Sequence, residues 1–214
     1  IEFEPEVLKR ILVNVQEITD NPDHLPLLQH LLARLWQVSS ERQKVTDKVP
    51  RTITWNDLER AASGSSLLTG PTLSPAGPTP NVVSTSLENW AEAVYLGHSV
   101  PERQQIEAVL QQLGFKDPNN GMYTQQRVNI SDCTRQLGDG TTPGKLRALL
   151  DHGYIGSVNY LFWDDENSGI PTIKVSHESF IRGWSRFRRI IDKEGERFEE
   201  FLTVLRKCLN WSRD

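Results

Sequence analysis

The chain has 214 residues, 37% hydrophobic and 24% charged content, a formal net charge of −4 and a pI near 5.8. That length allows one large or two small domains, and the apolar content suits a soluble chain with a buried core, although the mean hydropathy of −0.48 is on the polar side. The acidic balance argues against a dedicated nucleic-acid binder, no apolar run approaches the roughly 20 residues that cross a bilayer, and no signal peptide opens the chain.

Pro5 follows a short acidic opening, and Val7, Leu8, Ile11, Leu12, Val15 and Ile18 predict one helical face. Asn21-Pro22-Asp23 ends it. Asp23 is placed to cap a second helix from Leu25 to Val38, whose Leu27, Leu28, Leu31, Leu32, Leu35 and Trp36 predict burial on several sides. Thr54-Trp55-Asn56-Asp57 predicts a capping box before a short helix, Asp57 to Ala62. Residues 63–86 hold Pro71, Pro75, Pro78 and Pro80 among Gly, Ser and Thr, and predict a linker or an insertion.

Past that stretch, Leu87 to Leu96 and Pro101 to Leu113 predict two helices and Thr124 to Asn129 a short strand. Ile130 to Leu137 and Pro143 to Leu150 predict two more helices, the last closed by Gly153. Tyr154 to Phe162 and Gly169 to Val175 predict a β-hairpin with a polar tip. Finally Phe180, Trp184, Phe187, Ile191, Phe198, Leu202, Leu205 and Leu209 predict one long amphipathic helix starting at His177. The expected fold is mainly α: a helical domain over 1–62, the linker, a winged helix-turn-helix domain with a small β-hairpin over 87–192, and a helical extension over 193–214.

His177 stands where the last strand hands over to that helix. An imidazole there can donate to an anion beside the unpaired N–H groups of a helix start, or can simply end the strand. Glu178 can orient it or accept from first-turn N–H groups. Arg182, Arg186, Arg188 and Arg189 are followed closely by Asp192, Glu194, Glu196, Glu199 and Glu200 and read as a solvated, mixed-charge face. His24, His30, His98 and His152 have no metal-ligand spacing, and Asp164-Asp165-Glu166 lacks a calcium-loop pattern, so no metal is expected. Cys133 and Cys208 lie far apart and are expected to be small buried hydrophobes in a reducing, cytoplasmic setting. The chain has no Walker A sequence and no Gly-x-Ser-x-Gly elbow, and is expected not to hydrolyse ATP by itself. It begins at Ile1 with Met122 as its one methionine, and is expected to be a piece of a longer polypeptide.

Three blocks carry a resemblance. Val175 to Arg188 resembles the His-Glu-x-Leu-x-x-x-Trp signature near the end of the winged-helix part of STAND-class signalling ATPases, in particular the novel STAND branch often fused to WD repeats. Leu25 to Trp36 is similar to the Leu-Pro-Leu-Leu…Leu-Trp helix of that branch's ATPase-proximal helical domain. Trp90-Ala91-Glu92-Ala93-Val94-Tyr95 resembles the Ala-Glu-x-Val-Tyr helix that opens the winged-helix part.

The resemblance implies a regulatory segment that holds ADP or ATP jointly with an upstream ATPase domain of the same polypeptide. His177 would touch the β-phosphate of ADP in the closed state, and Pro26 would lie near the adenine, with Asp23-His24 standing where Gly-Ala is common. ATP exchange would open the molecule, which would then form oligomers, with a C-terminal repeat as sensor. The competing expectation is a DNA-binding winged-helix regulator, using Lys145 and Arg147 on the Pro143–His152 helix. An acidic hairpin tip and the net charge oppose it. A third is a nucleotide-free scaffold that docks partners through Leu25 to Trp36 and the last helix.

Overall fold

A computed structural model describes residues 2–46, 52–64, 80–137, 140–154, 160–164 and 172–211. The chain is mainly α with a few small strands. It divides into two compact units, 1–99 with 149–160 and 100–148 with 161–214.

In the first unit, α1 (Pro5–Glu17), α2 (His24–Thr46) and α3 (Trp55–Ser63) pack on α4 (Val82–Gly97). Pro5 sits in the first turn of α1, where its missing N–H costs nothing. The capping box forms as the spacing predicts: the Thr54 hydroxyl accepts from the Asp57 N–H, and the Asp57 carboxylate accepts from the Thr54 N–H. β1 (Glu2–Phe3) pairs in parallel with β2 (Thr52–Ile53), which brings the chain start against the entry to α3. At the end of α3, Gly64 adopts φ 71°, and a Cβ there would lie 2.4 Å from the Asn89 carbonyl oxygen. Only glycine meets both demands.

The second unit is built on α5 (Val100–Gln112), α6 (Ile130–Leu137) and the first half of α7 (Pro143–Gly153). The antiparallel pair β3 (Gly114–Lys116) and β4 (Tyr123–Gln125) follows α5. A second antiparallel sheet has the order β5-β7-β6, from Val128–Asn129, Thr172–Val175 and Leu161–Asp164. Its register sets Val128 opposite Ile173 and Leu161 opposite Val175. Then come α8 (Ser179–Gly183) and α9 (Ser185–Trp211). Phe180, Trp184 and Phe187 are fully buried, with Trp184 stacked on Phe180 at 5.5 Å between ring centres.

Several expectations are corrected. The stripe that begins at Phe180 is two helices, not one: Trp184 leaves helical geometry (φ −110°, ψ 108°) and separates α8 from α9. The same stripe is buried only to Ile191, and Phe198, Leu205 and Leu209 are exposed. Periodicity reports amphipathicity, not whether a partner covers the face. α2 is buried on one side only, because α3 and α4 meet one face; Leu25 and Trp36 are each 58% exposed. The strand expected over 124–129 is two strands in different sheets, β4 and β5. α4 starts at Val82, earlier than the Leu87 expected, with Asn81 as its cap. Cys133 is buried as expected, which pushes its thiol up to about 11, but Cys208 is exposed. Most of the predicted linker (65–79), the Gly138-Asp139 pair and the hairpin tip with Asp165 and Glu166 lie outside the described residues. Among the described residues, no helix is long and apolar enough to cross a membrane.

Candidate functional site

His177 belongs to the second unit and is exposed, two residues past the end of β7. Its position follows from local chemistry. β7 ends at Val175, and the Phe180 N–H bonds to the His177 carbonyl at 3.0 Å, turning the chain into α8. The Ser179 N–H donates to His177 Nδ1 at 3.1 Å. With Nδ1 accepting that bond, Nε2 is the ring nitrogen that can donate.

The helix start itself offers less than the sequence suggests. α8 has five residues, the Ser179 N–H is taken by the imidazole, and the Arg182 N–H bonds to the Glu178 carbonyl at 3.0 Å. The Ser179, Phe180 and Arg182 amides are thus all taken within the junction, and the imidazole is the group left exposed there. Glu178 occupies the cap position of α8, yet its side chain makes no capping hydrogen bond. Behind the junction, Ser179, Phe180 and Ile181 are buried.

Pro26 belongs to the first unit, half-buried in the first turn of α2. The turn before it is tied by Asn21: its side-chain oxygen accepts from the Asp23 N–H at 2.9 Å, and His24 Nδ1 lies 2.8 Å from its carbonyl oxygen. Asp23 is buried. His24 is thus committed to the turn.

Periodicity did not single out His30 and Arg34, which the fold buries together on the inner face of α2. The signal was present: the two polar residues, four apart, share a side with Leu27, Leu31, Leu35 and Val38. His30 sits among aromatic rings, 5.0 Å from Tyr160 and 5.8 Å from Trp90 between ring centres. Neither of its nitrogens reaches a partner in hydrogen-bond geometry among the described residues, although the Ser86 backbone lies close enough to favour the proton slightly. Burial lowers its pKa from 6.5 to about 3, and the Arg34 charge pushes the same way. Burial also lowers the Arg34 pKa, with Glu41 opposing and Arg60 reinforcing the shift. Arg34 donates to Gln37, Gln37 donates to Glu41 at 3.4 Å, and Arg42 pairs with the buried Asp57 at 3.0 Å. The first two contacts run along α2, and the Arg42–Asp57 pair joins α2 to α3 with charged groups where most of the core is apolar.

Lys145 and Arg147 project from α7 and are exposed. The Arg147 guanidinium lies over the Trp163 ring at 4.8 Å, and Asp164 pairs with both Arg127 and Lys174. Among the described residues no group of His, Cys, Asp or Glu is arranged to hold a metal ion.

Comparison with curated proteins and with solved structures gave no match. The family model of the Novel STAND NTPase 1 group matches residues 1–214, the whole length over which the three blocks were read. The chain belongs to the Novel STAND NTPase 1 family.

Proposed function

We propose that the chain is the regulatory segment of a STAND signal-transduction ATPase, which keeps ADP bound and the molecule closed until ATP exchanges for it. The observation that carries this reading is the His177 ring: exposed, at the end of β7, with Nδ1 held by the Ser179 N–H and Nε2 left to donate outward. A donor so oriented suits a diphosphate oxygen presented by a neighbouring ATPase domain. A hydrogen bond to a charged group is worth about 1.5–3 kcal/mol. Contact made in one state and not the other shifts a two-state balance roughly ten- to a hundredfold.

Pro26, at the start of α2, is the accompanying adenine-side contact. The helices α5 to α7 with the three-stranded antiparallel sheet support a winged-helix reading of the second unit. Nucleotide chemistry would be supplied by the ATPase domain, and assembly would follow opening.

The test is ADP release from the polypeptide that carries the ATPase domain. His177→Ala should speed release roughly ten- to a hundredfold, and His177→Gln, whose amide still donates, should retain part of the retention. Release at the wild-type rate in His177→Ala would discard the sensor role.

A further inference from the structure

Arg34 is 6% exposed, yet among the described residues its guanidinium makes no ion pair. It donates to the neutral Gln37 side chain, and its Nε is buried without a hydrogen-bond partner. Taking a guanidinium out of water is costly unless a counter-charge and hydrogen bonds replace the solvent. The cost registers at both buried groups of α2. Burial lowers the Arg34 pKa, and the Arg34 charge disfavours a proton on His30, one turn earlier.

A second cation reaches the same place from α3. Arg60 repels the Arg34 charge, its side chain is 19% exposed, and its Nη2 is likewise buried without a hydrogen-bond partner. The acid that acts on the pair is Glu41. It favours the Arg34 charge from a distance, lies 4.0 Å from Arg60 Nη2 and accepts a 3.4 Å bond from Gln37. These contacts are long, and the Glu41 side chain is 34% exposed, so it is free to turn out to solvent. Arg42 leaves the balance unchanged, because Asp57 matches its charge at 3.0 Å. The cluster thus sets two guanidiniums, each with a buried and unused N–H donor, against one loosely held carboxylate.

We propose that Arg34 and Arg60 form a binding site for inorganic phosphate, which enters by displacing Glu41. Guanidinium forks match the oxygens of phosphate, and a doubly charged anion balances both arginines where a carboxylate balances one. The burial of Arg34 selects a small free anion, because an ester would have to bury its organic part beside the guanidinium as well. The site needs no nucleotide and stands or falls apart from the role of His177.

Isothermal titration of the 214-residue chain with potassium phosphate, at an ionic strength held constant with chloride, is expected to show a single phosphate bound per chain. Arg34→Met and Arg60→Gln should each weaken binding at least about tenfold. Glu41→Gln should strengthen it by about the same factor, because the competing charge is gone. Adenosine monophosphate should bind more weakly than phosphate itself. In phosphate-free buffer Arg34→Met should melt no lower than the wild type, since it removes a buried charge that no carboxylate pairs. A clear fall in its melting temperature, or failure to fold, would mean that the guanidinium is held for structure, and overturns the proposal. So does the absence of binding, or binding unchanged in both arginine variants. Acetate binding more tightly than phosphate would assign the cluster to a carboxylate, and adenosine monophosphate binding as tightly would assign it to an ester; either overturns the free-phosphate site.

Discussion

Asn14 and Val82 are joined across 68 positions: the Asn14 side-chain oxygen accepts the Val82 N–H at 2.8 Å in a buried setting. Asn81 completes the joint, donating to the Asn14 carbonyl at 2.7 Å and to Glu17 at 2.8 Å while its own oxygen caps α4. One asparagine near the end of α1 thus fixes where α4 begins, beside a stretch of Pro, Gly and Ser.

Asn14→Ala removes the acceptor and leaves the Val82 N–H buried without it. The expected cost is about 1–3 kcal/mol, read as a fall in the denaturant midpoint with an unchanged slope. A midpoint equal to that of the wild type would show that this joint does not hold the helix start.

Acid should weaken the first unit through His30. Its folded pKa of about 3 lies below the ordinary 6.5, so between these values the unfolded chain binds the proton that the folded chain refuses. The contribution is complete above pH 6.5 and is lost as pH falls toward 3, at up to about 1.4 kcal/mol per pH unit. His30→Phe keeps the ring and removes the titration. The stability gap between variant and wild type should widen steadily on acidification, and parallel pH profiles would refute the assignment.

Gly114 opens β3 under the two helices that follow the sheet. A Cβ there would lie 2.7 Å from Ile191 Cδ1 and 2.9 Å from Ile181 Cδ1. Both are ends of branched side chains in a full core, so Gly114→Ala should cost about 1–3 kcal/mol. Trimming the neighbour with Ile191→Val should recover part of that loss; if the double variant melts below both singles, the clash lies elsewhere.

Binding to mixed-sequence DNA should be weak and should change little with salt. Arg147 is occupied over Trp163, and Arg127 and Lys174 are both spent on Asp164. A steep fall in affinity with salt, as several phosphate contacts would produce, would favour the DNA-binding reading instead.

The candidate site was legible as a junction but not as a geometry. A β-rich run ending at Val175 and an apolar stripe from Phe180 placed a histidine between strand and helix, and both elements are there. The break at Trp184 was hidden, because a residue that leaves the helix for a single step can keep its side chain on the same apolar stripe. The bond from Ser179 to His177 depends on a backbone turn that residue types do not dictate.

Local chemistry alone decided the helix starts at Pro5 and Thr54, the buried stripe from Phe180 to Ile191, and the family blocks around Pro26, Trp90 and His177. Those features depend on neighbours a few residues away, which periodicity and capping record. Tertiary structure decided which face of α2 is covered, that Asn14 starts α4, that His30 and Arg34 are buried, and that α9 outruns its core. Each of these turns on which distant surface happens to lie opposite, and a chain carries no local mark of what will be packed against it.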